Sequence, residues 1–258
     1  MSEQGPPKKR FGQHFLKDPN TARIVASGVI KADVVLEIGP GRGFLTAFLA
    51  ERAGLVHAVE LDPDVLPSLR EAVRGENNVV VHEGDALRFD YAALRPAPNR
   101  LVANLPYNIA SPLVLRLLED VESLRTLRFM VQLEVARRMA AGHGTKDYAS
   151  YAVLAQLLAS VHVVHRVPPT VFDPPPRVHS AVVEMERKSK PEGYEGIKRL
   201  VLGAFRSRRK RLVNNLPEPV RREAPRVLES LGYGPDARAE ELAPEDFVAL
   251  YRALSWAL

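Results

Sequence analysis

The sequence predicts an α/β fold: a Rossmann-like, mostly parallel sheet of seven strands with one antiparallel strand, followed by a small all-α C-terminal domain. Three observations predict it. Short β-prone runs alternate with helix-spaced stretches from Asp33 onward. A glycine-rich turn directly follows the first of those runs. Beyond residue 188 the apolar residues return at helical spacing while basic residues gather around them.

Taken in order, Val34-Val35-Leu36 reads as a strand, the glycine turn follows, and residues 44–53 have helical spacing. Leu55-Val56-His57-Ala58-Val59, Val79-Val80-Val81, Leu101-Val102-Ala103 and residues 127–131 are further strands, separated by amphipathic stretches such as 111–118. Strands alternating with helices imply a parallel sheet covered on both faces. A helix is expected over 148–161. Strands are expected over 163–167 and 178–185, with the proline-rich 168–176 between them, closing the sheet as an antiparallel pair.

The polar stretch Lys188-Ser189-Lys190-Pro191-Glu192-Gly193 suits a linker, which gives domains 1–187 and 188–258. After it, Ile197, Leu200, Val201, Ala204, Phe205 and Leu212 mark one apolar face, with Arg206, Arg208, Arg209 and Lys210 largely off it.

Composition narrows the function classes. A chain of 258 residues, 46% hydrophobic, buries one large core plus an appendage. The absence of cysteine excludes disulfides, thiolate metal sites, iron–sulfur clusters and thiol nucleophiles, and fits a reducing cytoplasm. Lys8-Lys9-Arg10 resembles the start of a signal peptide, but polar residues from Gln13 to Arg23 interrupt any apolar stretch, so neither signal nor membrane span is expected. The formal charge is +5 and the pI about 9.5. It is concentrated: ten Lys or Arg fall between Lys198 and Arg226 against Glu218 and Glu223, followed by an acidic stretch over 236–246. A polyanionic partner fits that distribution.

The turn Glu37-Ile38-Gly39-Pro40-Gly41-Arg42-Gly43 lets the backbone bend tightly and approach a ligand at the carboxyl edge of the sheet. Its third glycine comes one place too early for the dinucleotide fingerprint, and Phe44 holds the expected position. S-adenosylmethionine has no pyrophosphate to cradle; it needs room for its methionine part and acceptors for its ribose. Gly39 and Gly41 meet the first need. Glu60, about 20 residues beyond the turn, stands where a carboxylate accepts ribose hydroxyls. Asp85, in Gly84-Asp85-Ala86, either accepts from the adenine amine of that cofactor or is an ordinary turn residue.

Asn104-Leu105-Pro106-Tyr107 follows the fourth strand at the same edge. The amine of adenine is a weak nucleophile because its lone pair is delocalised into the ring, so positioning has to supply most of the catalysis. The Asn104 side-chain oxygen and the Leu105 carbonyl can each accept one N–H and steady the charge developing on nitrogen. Pro106 fixes the direction of the carbonyl before it. Tyr107 offers a flat face for the base, and Phe172 a second one. As ordinary structure, the tetrad is a capped strand-to-helix turn.

These residues resemble the ribosomal RNA adenine dimethyltransferases over nearly the whole chain. The resemblance is carried by Arg10-Phe11-Gly12-Gln13-His14-Phe15-Leu16, the 37–43 turn, Glu60, Asp85, Asn104-Leu105-Pro106-Tyr107-Asn108-Ile109, and Phe172-Asp173-Pro174-Pro175-Pro176 with Val178 and Ser180. It implies the seven-stranded methyltransferase sheet and S-adenosylmethionine as cofactor. It implies that His14 and Leu16 contact the cofactor, Gly39 its methionine part, Glu60 its ribose and Asp85 its adenine. Asn104 would contact both its amino end and the target amine, and Phe172 and Tyr107 would sandwich the target base. His14 departs from the Asn of many relatives and could instead cap the following Asp18-Pro19 turn.

Asn-Leu-Pro-Tyr-Asn, Phe-x-Pro-Pro-Pro-x-Val and the basic Arg206, Arg208, Arg209, Lys210 and Arg211 with Asn214-Asn215-Leu216 resemble the branch that dimethylates two adjacent adenines in the 3′-terminal hairpin of small-subunit (16S) rRNA. The implied partner is that rRNA in an assembling subunit, bound by a monomeric protein with no metal and no membrane contact. Three alternatives stay open: an RNA-binding assembly checkpoint with methylation secondary, a large-subunit enzyme of the erythromycin-resistance type, and, more remotely, a DNA adenine methyltransferase.

Overall fold

A computed structural model describes residues 13–208, 210–218 and 220–254. Lys8 to Gly12 of the N-terminal motif, and Arg209 of the basic segment, lie outside the described residues. The strands are β1 (Phe15–Leu16), β2 (Val34–Ile38), β3 (Leu55–Glu60), β4 (Val79–Glu83), β5 (Arg100–Asn104), β6 (Thr126–Gln132), β7 (Ala159–Val167), β8 (Phe172–Asp173) and β9 (Ser180–Arg187). The helices are α1 (Pro19–Val25), α2 (Phe44–Ala50), α3 (Leu66–Ala72), α4 (Ala110–Asp120), α5 (Leu133–Met139), α6 (Ser150–Leu158), α7 (Tyr194–Ala204), α8 (Val220–Ser230) and α9 (Pro244–Leu254).

Seven strands form one sheet in the order β4-β3-β2-β5-β6-β9-β7, and β1 pairs with β8 in a separate two-stranded ribbon. The ladders β4-β3-β2-β5-β6 are parallel, while β9 runs antiparallel to β6. The expected sheet is therefore present. The direction of strand addition reverses between β2 and β5, and the crevice outside the carboxyl ends at such a reversal is where open α/β sheets bind ligands. Val35, Leu36, Ile38, Val56, Val59, Leu101 and Val102 are buried, as continuous apolar runs require when both faces are covered. Toward one edge, Val80 of β4 is exposed; at the other, so are residues 162–166 of β7.

Element ends moved where apolar spacing is ambiguous. Helix α6 stops at Leu158 and β7 begins at once with Ala159, where the helix was expected to continue to residue 161. A short run such as Val161 to Val164, rich in β-branched residues, fits either state by periodicity, and tertiary pairing decides. Helix α1 starts where Asp18 accepts the Thr21 N–H at 2.7 Å with Pro19 in its first turn, so Asp18 itself is the cap and His14 is free for another contact.

The described residues up to Ala136 together with His162–Arg187 form one compact unit, and Arg137–Val161 with the described residues from Lys188 onward form a second. The change of unit at Lys188 coincides with the polar linker. The grouping of Arg137–Val161 differs from the expected 1–187 domain, because α6 buries Ala152, Val153, Leu154 and Ala155 and packs on α7 and α9. Within that second unit, Gly196 lets α7 lie tight against Tyr251, whose ring atoms would stand 2.3–2.5 Å from a Cβ there.

The basic stretch is not one helix. Helix α7 ends at Ala204, where the Asn215 amide donates to the carbonyls of Ala204 and Ser207. Arg208 pairs with Glu240 and donates to the Thr145 carbonyl, and Arg211 lies 3.0 Å from Asp236. The acidic stretch thus answers part of the positive charge within the same unit, leaving Arg206 and Lys210 exposed.

Candidate active site at the carboxyl edge of the sheet

Because β3, β2 and β5 are parallel neighbours, the Glu60 end of β3, the Gly39 turn after β2 and the Asn104 end of β5 share one edge. A cavity of about 690 Å³ opens there, within the range of small-molecule sites. His14, Leu16, Gly39, Gly41, Glu60, Asp85, Asn104, Leu105 and Tyr107 all line it. Residues as far apart as 14 and 107 are thereby brought together.

The glycines are demanded by contact as well as by dihedral angle. Gly39 has φ +68°, and a Cβ there would stand 3.2 Å from the Pro106 ring, so the turn and the tetrad pack directly. Gly41 has φ +57°, and its Cβ would stand 2.9 Å from the Phe15 ring. That ring carries the Arg42 guanidinium 4.4 Å from its centroid.

Glu60 is held by backbone donors. Its Oε2 accepts from Gly41 at 3.0 Å, and its Oε1 accepts from Leu61 at 2.9 Å and Asp62 at 2.8 Å. Burial pushes its carboxyl above the usual range; the three N–H groups oppose that shift and the charge of Asp62 adds to it. Glu37, fully buried beneath the same turn, has an Oε2 without a hydrogen-bond partner. Burial pushes it up to about 8, against the nearby Thr46 hydroxyl and with help from the charge of Glu60. Asp85 spends Oδ1 on the Leu87 N–H at 2.9 Å.

In the tetrad, Asn104 Nδ2 donates to the His14 carbonyl at 3.0 Å, while its Oδ1 is buried and finds no partner among the described residues. An orphaned buried acceptor costs about 1–3 kcal/mol, so it marks a place where a donor is missing. Tyr107 has its hydroxyl 2.5 Å from Ser180 Oγ and its ring stacked with His14, centroids 5.7 Å apart at 28°. Burial raises its pKa, with the Ser180 bond opposing.

Phe172 departs from expectation. It is wholly buried in the core with Leu16, Val25, Leu45, Val102 and Met130, and β1 sets it opposite Leu16. Burying a phenyl ring gains about 1.5–3 kcal/mol, so β8 turns Phe172 inward and Asp173 toward the cavity. Phe172 is thus not among the residues lining the cavity beside Tyr107, and a ring that stacks on Tyr107 is that of His14. Ser180 holds the Tyr107 hydroxyl, a role its sequence motif alone does not announce. The signal available was a small polar residue opening the otherwise apolar Ser180-Ala181-Val182-Val183.

A seven-stranded sheet of this order, with its ligand cavity at the reversal of strand order, defines the class of Rossmann-like methyltransferase folds. A model of the ribosomal RNA adenine dimethylase family matches residues 6–255. The chain is 73% identical over 250 residues to the ribosomal RNA small subunit methyltransferase A of Rubrobacter xylanophilus, covering 96% of this chain and 95% of that one. Among solved structures, a dimethyladenosine transferase from Plasmodium falciparum is similar with a TM-score of 0.83 at 27% identity, covering 94% of this chain and 98% of that one. The 23S rRNA methyltransferase ErmE is similar with a TM-score of 0.74 at 30% identity, covering 93% and 99%. The chain belongs to the ribosomal RNA adenine dimethylase family.

Proposed function

We propose that the protein dimethylates the exocyclic amine of two adjacent adenines in the 3′-terminal hairpin loop of small-subunit (16S) rRNA, using S-adenosylmethionine, in the cytoplasm during assembly of the small subunit. The observation that carries the chemistry is the buried, unpartnered Oδ1 of Asn104 at the cavity shared with Gly39 and Glu60. The small-subunit target is supported by the 73% identity to the Rubrobacter xylanophilus methyltransferase named for that RNA.

The residues present fit the cofactor. Gly39 and Gly41 remove the side chains that would fill the turn, Glu60 offers the lone pairs its backbone donors leave for the ribose, and Asp85 offers the adenine its Oδ2, which otherwise faces the exposed Arg88 guanidinium at 3.9 Å. Leu16, and His14 as the resemblance implies, complete that wall. The cofactor when bound supplies a methyl group activated by a positively charged sulfur.

The chain supplies position. Asn104 Oδ1 and the Leu105 carbonyl accept the two N–H bonds of the target amine, which turns its lone pair out of the ring plane. Both acceptors steady the positive charge growing on nitrogen, so no strong general base is required. Tyr107 stacks the extruded base. The basic Arg206, Arg208, Lys210 and Arg211 meet RNA phosphates.

The test offers purified assembly-stage small subunits and large subunits to the protein with labelled cofactor and maps the product. Dimethyladenosine in the 3′ hairpin of small-subunit RNA is expected, lost in Asn104→Ala. Label in large-subunit RNA alone overturns the target. An Asn104→Ala variant that retards subunit maturation as the inactive bound form favours the checkpoint role.

A further inference from the structure

Three contacts converge on His14. Its backbone carbonyl accepts the Asn104 Nδ2 at 3.0 Å, its Nδ1 lies 2.7 Å from the Pro174 carbonyl, and its ring stacks with Tyr107. A carbonyl can only accept, so Nδ1 carries the proton and the ring is held in one tautomer and one orientation.

The carbonyl contact decides which way the Asn104 amide points. The two ends of a primary amide differ only in chemistry, and the reversed amide would set two acceptor oxygens 3.0 Å apart. The NH2 group therefore faces His14, and Oδ1 is the end presented as acceptor. The ring contact acts on Tyr107, whose hydroxyl is anchored at its far end by Ser180 at 2.5 Å. With Phe172 sealed in the core, His14 is the ring that bears on Tyr107.

We propose that His14 is a positioning residue of the transfer reaction: its carbonyl orients the Asn104 acceptor while its ring, pinned to Pro174, braces the stacking face of Tyr107. The inference rests on the proposed adenine chemistry and adds to the cofactor contact that resemblance implies a role on the substrate side. The two halves are separable, because any residue at position 14 keeps the carbonyl and only a flat ring keeps the brace.

The experiment compares wild type, His14→Ala and His14→Phe in single-turnover methyl transfer to small-subunit RNA, with calorimetric binding of S-adenosylhomocysteine as the second measurement. In His14→Ala the transfer rate falls about 10- to 100-fold, the range of a misplaced reacting group. Because His14 also lines the cofactor cavity, the variant's affinity for S-adenosylhomocysteine falls too, but by a clearly smaller factor than the rate. His14→Phe, which keeps a flat ring but loses the Nδ1 anchor on Pro174, recovers part of the rate, and a rate no better than that of His14→Ala overturns the brace. Affinity falling in parallel with rate would make His14 a cofactor ligand only, and an unchanged rate would make the ring idle. Either result overturns the proposal. A wild-type protein that labels no adenine defeats the proposed function instead, and the brace is then read in isotope-labelled tyrosine spectra. The Tyr107 ring resonances must shift in His14→Ala, and their constancy sinks the proposal.

Discussion

Glu60 Oε2 accepts the Gly41 N–H at 3.0 Å, so the acid ending β3 and the turn following β2 form one hydrogen-bonded unit. Every N–H on that carboxylate requires an acceptor. Glu60→Gln must turn an NH2 group against Gly41, or against Leu61 and Asp62. Hydrogen bonds to a charged group are worth about 1.5–3 kcal/mol each, so the variant should lose about 2 kcal/mol of stability and at least tenfold in affinity for S-adenosylhomocysteine. Urea unfolding and calorimetry check both.

Glu37 makes stability pH-dependent in an unusual direction for a carboxyl group. Its folded pKa, about 8, lies above the ordinary 4.5, so the core holds the neutral acid. A raised folded pKa contributes stability that is fully present below the unfolded value and is lost as pH rises through the folded one. The melting temperature of wild type minus that of Glu37→Gln should hold steady below pH 4.5, fall as pH climbs to about 8, and level off above that. A difference that is flat over that window would show Glu37 to be ionised in the folded protein.

Tyr107 and Ser180 should be coupled. Removing either hydroxyl leaves the other buried without its 2.5 Å partner, whereas removing both leaves none. A double-mutant cycle of Tyr107→Phe and Ser180→Ala should return a coupling of about 1 kcal/mol in unfolding free energy. Each single variant should also slow methyl transfer more than it weakens RNA binding.

Arg187 gathers the end of α4. Its guanidinium donates to the carbonyls of Leu117, Leu118, Val121 and Leu124. An ammonium cannot span that fork, so Arg187→Lys leaves several carbonyls unsatisfied. The expected loss is about 2–3 kcal/mol by denaturant titration, with cofactor affinity unchanged.

The basic segment should bind RNA less steeply than its charge count suggests. Arg208 and Arg211 are engaged by Glu240 and Asp236, and a paired guanidinium releases fewer counterions when it meets a phosphate. Freeing them with Glu240→Gln and Asp236→Asn should tighten RNA binding and steepen its dependence on salt, read as dissociation constants over a salt series. Unchanged slopes would place the RNA on another surface.

Much of this was legible in the residues. Val34-Val35-Leu36 and its successors announced buried parallel strands, because continuous apolar runs leave no solvent face. The glycine turn, Glu60 and Asn104 through Tyr107 announced the carboxyl edge, because each directly follows a strand. What was less legible was where α6 gives way to β7 and which way Phe172 turns. Both depend on a partner element: the first on strand pairing, the second on the β1 ribbon that sets Leu16 opposite Phe172.

By itself the sequence determined the alternation of the main sheet's strands with helices, the turn at Gly39 and the identity of the acceptor-bearing tetrad, since these rest on local periodicity, glycine and residue type. Only the tertiary structure decided how the tetrad is held. The Asn104 amide takes its orientation from a carbonyl 90 residues away, and the ring braced on Tyr107 is pinned to a carbonyl 160 residues away. Contacts at such separations leave no local signature, because they exist only after the chain has closed on itself.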